Sequence, residues 1–136
     1  MILVDTTIWS KAFRRKKTTL EDQRIIKNLC DILEMEEELL IGPVRQELLS
    51  GISNKIAFDD LMIKLDGFNN YEVQLQDHDL AAEYFNICQN KGIQGSQTDY
   101  LICAVAYRYS LEIFTCDNDF NYYRKYLPVK LYKSYQ

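Results

Sequence analysis

The sequence contains little glycine and proline, the residues that interrupt helices and strands. It has only five glycines and two prolines among 136 residues, which excludes disordered and fibrous classes. No apolar run approaches the roughly 20 residues needed to cross a bilayer, and the N-terminal segment lacks the pattern of a signal peptide. With 47% hydrophobic residues, the sequence predicts one cytoplasmic domain over residues 1–136, with no membrane association.

Histidine and paired cysteine are also scarce. The one histidine and four cysteines form no C-x-x-C pair or other zinc-ligand spacing, so neither a zinc site nor a disulfide framework is expected. A single histidine also excludes acid–base catalysis by a histidine pair. The thiols on apolar helical stretches are predicted to be buried. These residues are His78, Cys30, Cys88, Cys103 and Cys116, with Cys88 and Cys103 on the apolar stretches.

Basic residues are fewer than acidic ones. The chain has 16 lysines and arginines against 20 aspartates and glutamates, a net charge of −4, which is unusual for a nucleic-acid-binding protein. The clearest basic cluster is Arg14, Arg15, Lys16 and Lys17. This run is either a solvated loop or a rim that contacts phosphates beside Asp5.

Short apolar runs alternate with helical patterns along the chain. The alternation predicts a mainly parallel α/β sheet of four to five strands with right-handed crossovers, a three-layer sandwich carrying an inserted helical hairpin. The predicted strands are 2–4, 39–41, 71–75, 111–115 and an edge strand at 128–132. The predicted helices are 8–13, 20–33, 44–49, 55–65, 77–90, one from Ser96 through Ala106, and 119–126.

Acidic residues occur where these strands meet helices. Asp5 follows the first strand and Asp117 follows strand 111–115, so both lie at the carboxyl edge of the sheet, where open α/β sheets bind ligands. Glu47 lies about one turn into the helix opened by a proline, and Asp99 begins the helix that leads into strand 111–115. The same edge should therefore gather all four carboxylates, with Asp119 close behind Asp117.

Crowded carboxylates remain ionised only if positive charge lies between them. Mg²⁺ and Mn²⁺ suit such oxygen ligands and assist the attack of water on phosphodiesters. Each acid also has an ordinary interpretation, because Asp5, Asp99 and Asp117 could cap helices and Glu47 could lie on a solvated face. Their joint placement favours a metal site.

Four segments together resemble the PIN-domain nucleases, most closely the VapC toxins of toxin–antitoxin pairs. They are Ile2-Leu-Val-Asp5-Thr6, Glu47, Asp99-Tyr-Leu-Ile-Cys-Ala-Val-Ala106 and Thr115-Cys-Asp117-Asn-Asp119-Phe120. The resemblance implies a PIN-like fold and an endoribonuclease that uses one or two Mg²⁺ or Mn²⁺ ions and leaves 5′-phosphate and 3′-hydroxyl ends. It implies catalytic, metal-binding carboxylates at Asp5, Glu47, Asp99 and Asp117, a possible further ligand at Asp119, and supporting hydroxyls at Thr6 and Thr115.

The resemblance also implies partners. These are an RNA substrate, a cognate VapB-like antitoxin that inserts a segment near the site, and a second copy of the chain in a homodimer whose two sites face one groove. Three alternatives are a PIN-type RNA-processing nuclease without an antitoxin, a non-catalytic PIN module for RNA binding or assembly, and a flavodoxin-like nucleotide or phosphoacceptor domain. The last would not explain Asp99 or the Asp-x-Asp-Phe ending.

Overall fold

The apolar run at residues 2–4 forms a strand in the interior of the sheet. The computed structural model describes residues 1–13 and 19–133. Among these, β1 (Ile2–Val4) pairs in parallel with β2 (Glu38–Ile41), which pairs in parallel with β3 (Asn70–Tyr71). On its other side β1 pairs in parallel with β4 (Glu112–Phe114). The order β3-β2-β1-β4 confirms the predicted parallel α/β sheet.

Seven helices surround this sheet in the described part of the chain. The strand order runs in one direction from β1 to β3 and reverses for β4, so right-handed connections place the helices before β3 on one face and the next two on the other. The helices are α1 (Thr6–Phe13), α2 (Leu20–Glu34), α3 (Gly42–Leu49), α4 (Lys55–Asp66), α5 (Leu75–Asn90), α6 (Gln97–Arg108) and α7 (Asp119–Tyr123). Among the described residues, none of the helices is both long and apolar enough to span a membrane.

Local capping chemistry sets several helix starts. The sequence offers Ser53 or Asn54 as the cap of α4, and in the structure it is Asn54 that accepts a hydrogen bond from the Ala57 N–H at 2.9 Å. Ser96 accepts one from the Asp99 N–H at 3.0 Å and begins α6. The Ser96 cap therefore fixes Asp99 in the first turn of α6.

Helix α6 packs at the centre of the core. Every residue from Tyr100 to Ala106 is buried, so this helix is apolar on nearly all sides after its first turn. Cys88 and Cys103 are buried, as their apolar surroundings predict. On the other face of the sheet, the Trp9 indole N–H donates to the Val4 carbonyl at 3.1 Å. Both helices flanking the site are thus anchored in the core.

Two predicted strands are shorter in the structure. The predicted strand 71–75 ends at Tyr71, because α5 begins at Leu75 and the Gln74 N–H donates to the buried Asp77 carboxylate at 2.8 Å. The predicted edge strand 128–132 is reduced to one parallel bridge between Ile113 and Leu131. Helix α7 also ends at Tyr123 rather than at residue 126. These differences lie at the edges of the sheet and leave its centre as predicted.

Glu38 is part of the core, although the acidic run Glu36-Glu37-Glu38 predicts a polar connector before strand 39–41. It begins β2, is only 4% exposed, and its carboxylate accepts the Asn69 N–H at 3.0 Å. This bond satisfies a backbone donor at the start of β3, which explains how a buried acid is tolerated there. The expectation of a polar connector through Glu38 was wrong for that reason.

Candidate active site

The site lies where the strand order reverses. Strands β1 and β4 are neighbours although they are far apart in sequence, and open α/β sheets bind ligands at such switch points. The Asp5 N–H donates to the Phe114 carbonyl at 2.9 Å and extends this pairing to the strand ends. A cavity of about 730 Å³ opens there, lined by Asp5, Thr6, Thr7, Ser10, Lys11, Glu47, Gln94, Gly95, Ser96, Asp99, Cys116, Asp117 and Asp119.

Asp5 forms the buried base of this cavity. Its side chain is held by the hydroxyls of Thr115 and Thr7, which donate to Oδ2 at 2.7 and 2.8 Å. Burial raises the pKa of the Asp5 carboxyl, and the two hydroxyl donors oppose that rise. The carboxylate is therefore fixed in orientation. Thr115 also accepts the Asp117 N–H at 2.9 Å, so the hydroxyl expected from the sequence links two of the acids.

Besides Thr115, the hydroxyl that holds the Asp5 carboxylate belongs to Thr7, a residue that the sequence analysis did not single out. Helix α1 begins at Thr6, with Asp5 in the preceding cap position, so Thr7 turns back towards the Asp5 carboxylate. Thr7 also accepts the Cys116 N–H at 3.0 Å. The Thr6 hydroxyl is buried and has no hydrogen-bond partner in the described part of the chain. The sequence signal for this contact was the position of Asp5 directly before α1, since Thr7 then lies in the first turn of that helix.

Three carboxylates meet above Asp5. One oxygen from each of Asp99, Asp117 and Asp119 lies within 4.8 Å of the others. Asp99 comes from the first turn of α6, whereas the other two come from the loop after β4 and the start of α7. The Asp119 N–H donates to Asp117 Oδ1 at 2.9 Å. This turn places Asp119 beside Asp99 and Asp117, a placement that its sequence position alone did not decide.

Asp99 lies in a partly buried, negatively charged environment. Burial raises the pKa of its carboxyl to about 6, and the negative charges of Asp5 and Asp117 act in the same direction. A hydrogen bond from the Tyr123 hydroxyl, 2.6 Å long, opposes the rise. Such a carboxyl binds a proton far more readily than an exposed one, and a cation placed among these acids would compete with that proton.

Tyr123 is a site residue that the sequence did not reveal. It is fully buried on α7 and reaches Asp99 across the boundary between α7 and α6. Burial and the Asp99 charge raise the pKa of the Tyr123 hydroxyl, so the hydroxyl stays protonated and remains a donor. Its only signal in the sequence is a position three residues after the buried Phe120, on the same face of a short helix.

Glu47 and Lys11 complete the rim. Glu47 is exposed on α3 and lines the cavity, but it lies outside the group formed by the other three acids. Among the described residues that line the cavity, Lys11 is the only basic one, and its Nζ lies 2.8 Å from Asp22 Oδ1. The basic run of Arg14, Arg15, Lys16 and Lys17 lies outside the described residues.

The donor set of the site suits a hard divalent cation. The closest groups are all carboxylate oxygens, the ligands that Mg²⁺ and Mn²⁺ prefer over softer sites. Thr6 also lines this cavity, and its buried hydroxyl has no hydrogen-bond partner among the described residues. Burial, together with the negative charges of Asp5 and Asp117, raises the pKa of Asp99, and bound positive charge would stabilise its ionised form.

A parallel α/β sheet with carboxylates gathered at its switch point defines an acidic, metal-type site rather than a histidine- or thiol-based one. The family model for the PIN domain matches residues 2–126. The chain belongs to the PIN domain family, and its acidic cluster of Asp99, Asp117 and Asp119 is typical of metal sites in that family.

Solved structures of other proteins share this architecture. FitAcB from Neisseria gonorrhoeae superposes with a TM-score of 0.75 at 20% identity, covering 98% of this chain and 97% of that one. VapBC2 from Rickettsia felis, bound to a promoter DNA fragment, gives 0.77 at 17% identity, covering 97% and 98%. A toxin–antitoxin complex from Klebsiella pneumoniae gives a TM-score of 0.63 at 16% identity, covering 87% of this chain and 88% of that one. No curated protein sequence matches the chain.

Proposed function

We propose that this protein is a divalent-metal-dependent endoribonuclease and the toxin of a toxin–antitoxin pair. The observation that carries the proposal is the convergence of Asp99, Asp117 and Asp119 oxygens within 4.8 Å, on a cavity whose base is Asp5. PIN family membership supports the same chemistry. Glu47, on the rim of that cavity, is the remaining proposed catalytic carboxylate.

Each polar side chain of the cavity has a distinct role in the proposed reaction. A bound Mg²⁺ or Mn²⁺ lowers the pKa of water and neutralises charge on a phosphodiester. Asp99, Asp117 and Asp119 would hold one or two such ions, while Asp5 is kept in one orientation by its two threonine donors. Lys11, already fixed by its ion pair with Asp22, offers positive charge to a substrate phosphate.

The products of this reaction should carry 5′-phosphate and 3′-hydroxyl ends. Attack by water expels the 3′ oxygen, and the ribose 2′-hydroxyl takes no part. Attack by the 2′-hydroxyl instead leaves a cyclic phosphate and typically uses paired histidines, and the one histidine of this sequence, His78, is exposed on α5 away from the cavity lining. The residues present therefore favour the route through water.

The toxin assignment rests on structural likeness. One of the superposed structures is a toxin–antitoxin complex from Klebsiella pneumoniae, and at least 87% of this chain takes part in each superposition. We propose a cytoplasmic homodimer held inactive by a cognate VapB-like antitoxin and cleaving RNA when released. The retained acids and the well-formed cavity favour this over a non-catalytic PIN module.

Cleavage of total RNA by purified protein tests the proposal. Asp99→Asn keeps the shape of the side chain and the helix cap but removes a ligand charge, so we expect at least about a hundredfold loss of activity with unchanged circular dichroism. Asp79→Asn, an exposed acid on α5, is the matched control and should cleave normally. EDTA should stop the reaction and added Mg²⁺ or Mn²⁺ should restore it.

The ends of the RNA fragments decide the mechanism. Cyclic phosphate ends produced in EDTA would exclude the proposed chemistry, as would a fully active, folded Asp99→Asn variant.

A further inference from the structure

The Asp99 carboxylate has one oxygen already engaged. The Tyr123 hydroxyl donates to Asp99 Oδ2 at 2.6 Å, the length of a strong hydrogen bond between a hydroxyl and a carboxylate. The Tyr123 side chain is fully buried, so water does not compete for this donor. Asp99 therefore presents two unequal oxygens to the cavity.

The Tyr123 ring is held firmly in place. It packs against Phe120 with ring centroids 5.1 Å apart and against Tyr100 with centroids 5.3 Å apart. Both neighbours are themselves fully buried. A ring enclosed in this way cannot swing its hydroxyl off Asp99 without disturbing the core.

Gly95 closes the remaining side. A Cβ atom at this position would lie 2.5 Å from the Tyr123 hydroxyl oxygen and 2.7 Å from that of Tyr100. The φ angle of Gly95 is outside the left-handed range, so the space taken by the two hydroxyls, and not the backbone angle, requires glycine here. The chain thus reserves room for the Tyr123 hydroxyl beside Asp99.

One engaged oxygen affects which ion the site prefers. Mg²⁺ demands nearly ideal octahedral geometry at about 2.0–2.1 Å, whereas Ca²⁺ takes six to eight oxygens and readily accepts bidentate carboxylates. If Asp99 bound a cation through both oxygens, Oδ2 would have to coordinate the cation while also accepting the hydrogen bond from the Tyr123 hydroxyl. Single-oxygen binding through Oδ1 leaves that hydrogen bond intact.

We propose that the Tyr123 hydroxyl, with Gly95 behind it, makes Asp99 a one-oxygen ligand and so favours Mg²⁺ and Mn²⁺ over Ca²⁺ at this site. Tyr123 is a positioning residue in this scheme, since it acts through Asp99. The inference rests on the proposed function, because it takes Asp99 as a metal ligand.

Metal titration of the purified chain tests it. Loss of the free Mn²⁺ signal in electron paramagnetic resonance measures Mn²⁺ affinity, and displacement of Mn²⁺ by Ca²⁺ measures Ca²⁺ affinity. In Tyr123→Phe we expect Mn²⁺ affinity to fall about tenfold or more, with a much smaller loss for Ca²⁺. Tyr122→Phe, which removes an exposed hydroxyl from the same helix, should leave both affinities unchanged.

A second variant disturbs the hydrogen bond between Tyr123 and Asp99 without removing the hydroxyl. Gly95→Ala keeps the Tyr123 hydroxyl but displaces it, so the ratio of Mn²⁺ to Ca²⁺ affinity should fall in the same direction. It decides the question if circular dichroism shows that Tyr123→Phe does not fold. An unchanged ratio in a folded variant overturns the proposal, whether both affinities fall together or neither changes.

The wild type separates this inference from the proposed function. If it binds Mn²⁺ and Asp99→Asn does not, the metal site stands and only the role of Tyr123 is at issue. If the wild type binds no Mn²⁺, the proposed function and the inference fail together.

Discussion

Individual acids in this site serve the fold and the chemistry at once. Asp5 precedes α1, and its carbonyl accepts the Ile8 N–H at 3.1 Å, while its side chain forms the base of the cavity. Asp99 lies in the first turn of α6, where a negative charge interacts favourably with the helix dipole. Burial nevertheless raises the pKa of both carboxyls. Their ionised forms therefore oppose folding until positive charge is bound.

The raised pKa of Asp99 predicts a pH-dependent stability. The folded state binds this proton more tightly than the unfolded chain, so the resulting stabilisation is complete below the ordinary pKa of 3.8 and is lost as pH rises through about 6. Without metal, Asp99→Asn should therefore melt at a higher temperature than the wild type at neutral pH. The difference should shrink as the solution is acidified, which thermal melts followed by circular dichroism would measure.

Added Mn²⁺ provides the control for that measurement. It should raise the melting temperature of the wild type by linkage and leave Asp99→Asn nearly unchanged. A melting-temperature difference that stays constant from about pH 4.5 to about pH 7.5 would contradict the electrostatic explanation.

At the scale of elements, a buried acid outside the site joins three secondary-structure elements. Asp77 is fully buried at the start of α5 and accepts hydrogen bonds from the Gln74 N–H, the Tyr71 hydroxyl on β3 and Arg108 at the end of α6. Burial raises the pKa of its carboxyl, but the Gln74 and Arg108 donors outweigh that effect and lower it overall. These contacts stabilise the ionised form.

Removing Asp77 should destabilise the protein without altering its chemistry. Asp77→Ala leaves the Arg108 guanidinium without its buried partner and the α5 N-terminus uncapped, a loss of about 3 kcal/mol in the free energy of unfolding. Urea denaturation would measure this, with the exposed Asp79→Ala expected within about 0.5 kcal/mol of the wild type. Because Asp77 does not line the cavity, RNA cleavage per folded molecule should be unchanged. A variant as stable as wild type would contradict this role.

The same region shows where sequence reasoning works and where it stops. The apolar strand 2–4 and the Ser96 and Asn54 caps depend on neighbours within a few residues, and the structure has them as predicted. The predicted end of strand 71–75 was wrong because the Gln74 N–H donates to the Asp77 carboxylate, so α5 begins at Leu75 and not at residue 77. The prediction of a polar connector at Glu38 was wrong because the group that satisfies its carboxylate, the Asn69 N–H, is 31 positions away in the sequence.

The candidate site follows the same rule. The edge shared by Asp5, Asp99 and Asp117 followed from their positions after predicted parallel strands or at the start of a connecting helix, and the structure places these residues around one cavity. Thr7 and Tyr123 were missed because their roles depend on the direction of single side chains in three dimensions. Asp119 depended likewise on a turn closed by Asp117.

For the whole molecule, the balance of charge constrains how it meets RNA. The net charge of −4 repels a polyanion at long range, and three of the acids are concentrated within 4.8 Å of one another. Under the proposed function, bound divalent ions would reverse that local sign in the cavity that Lys11 also lines. RNA binding should therefore depend on the metal as strongly as cleavage does.

Growth on expression tests the assignment of the whole chain. Production of the wild type in bacteria without its antitoxin should arrest growth, because uncontrolled RNA cleavage stops protein synthesis. Asp117→Asn removes one of the three gathered carboxylates while leaving the bond from its own N–H to Thr115 in place, so cells producing it should grow normally. Asp79→Asn, with the same change of charge on the exposed face of α5, should arrest growth like the wild type. Plating efficiency under induction, with protein levels matched by immunoblot, is the measurement. Equal growth of all three strains would instead favour a PIN-type RNA-processing nuclease that works without an antitoxin.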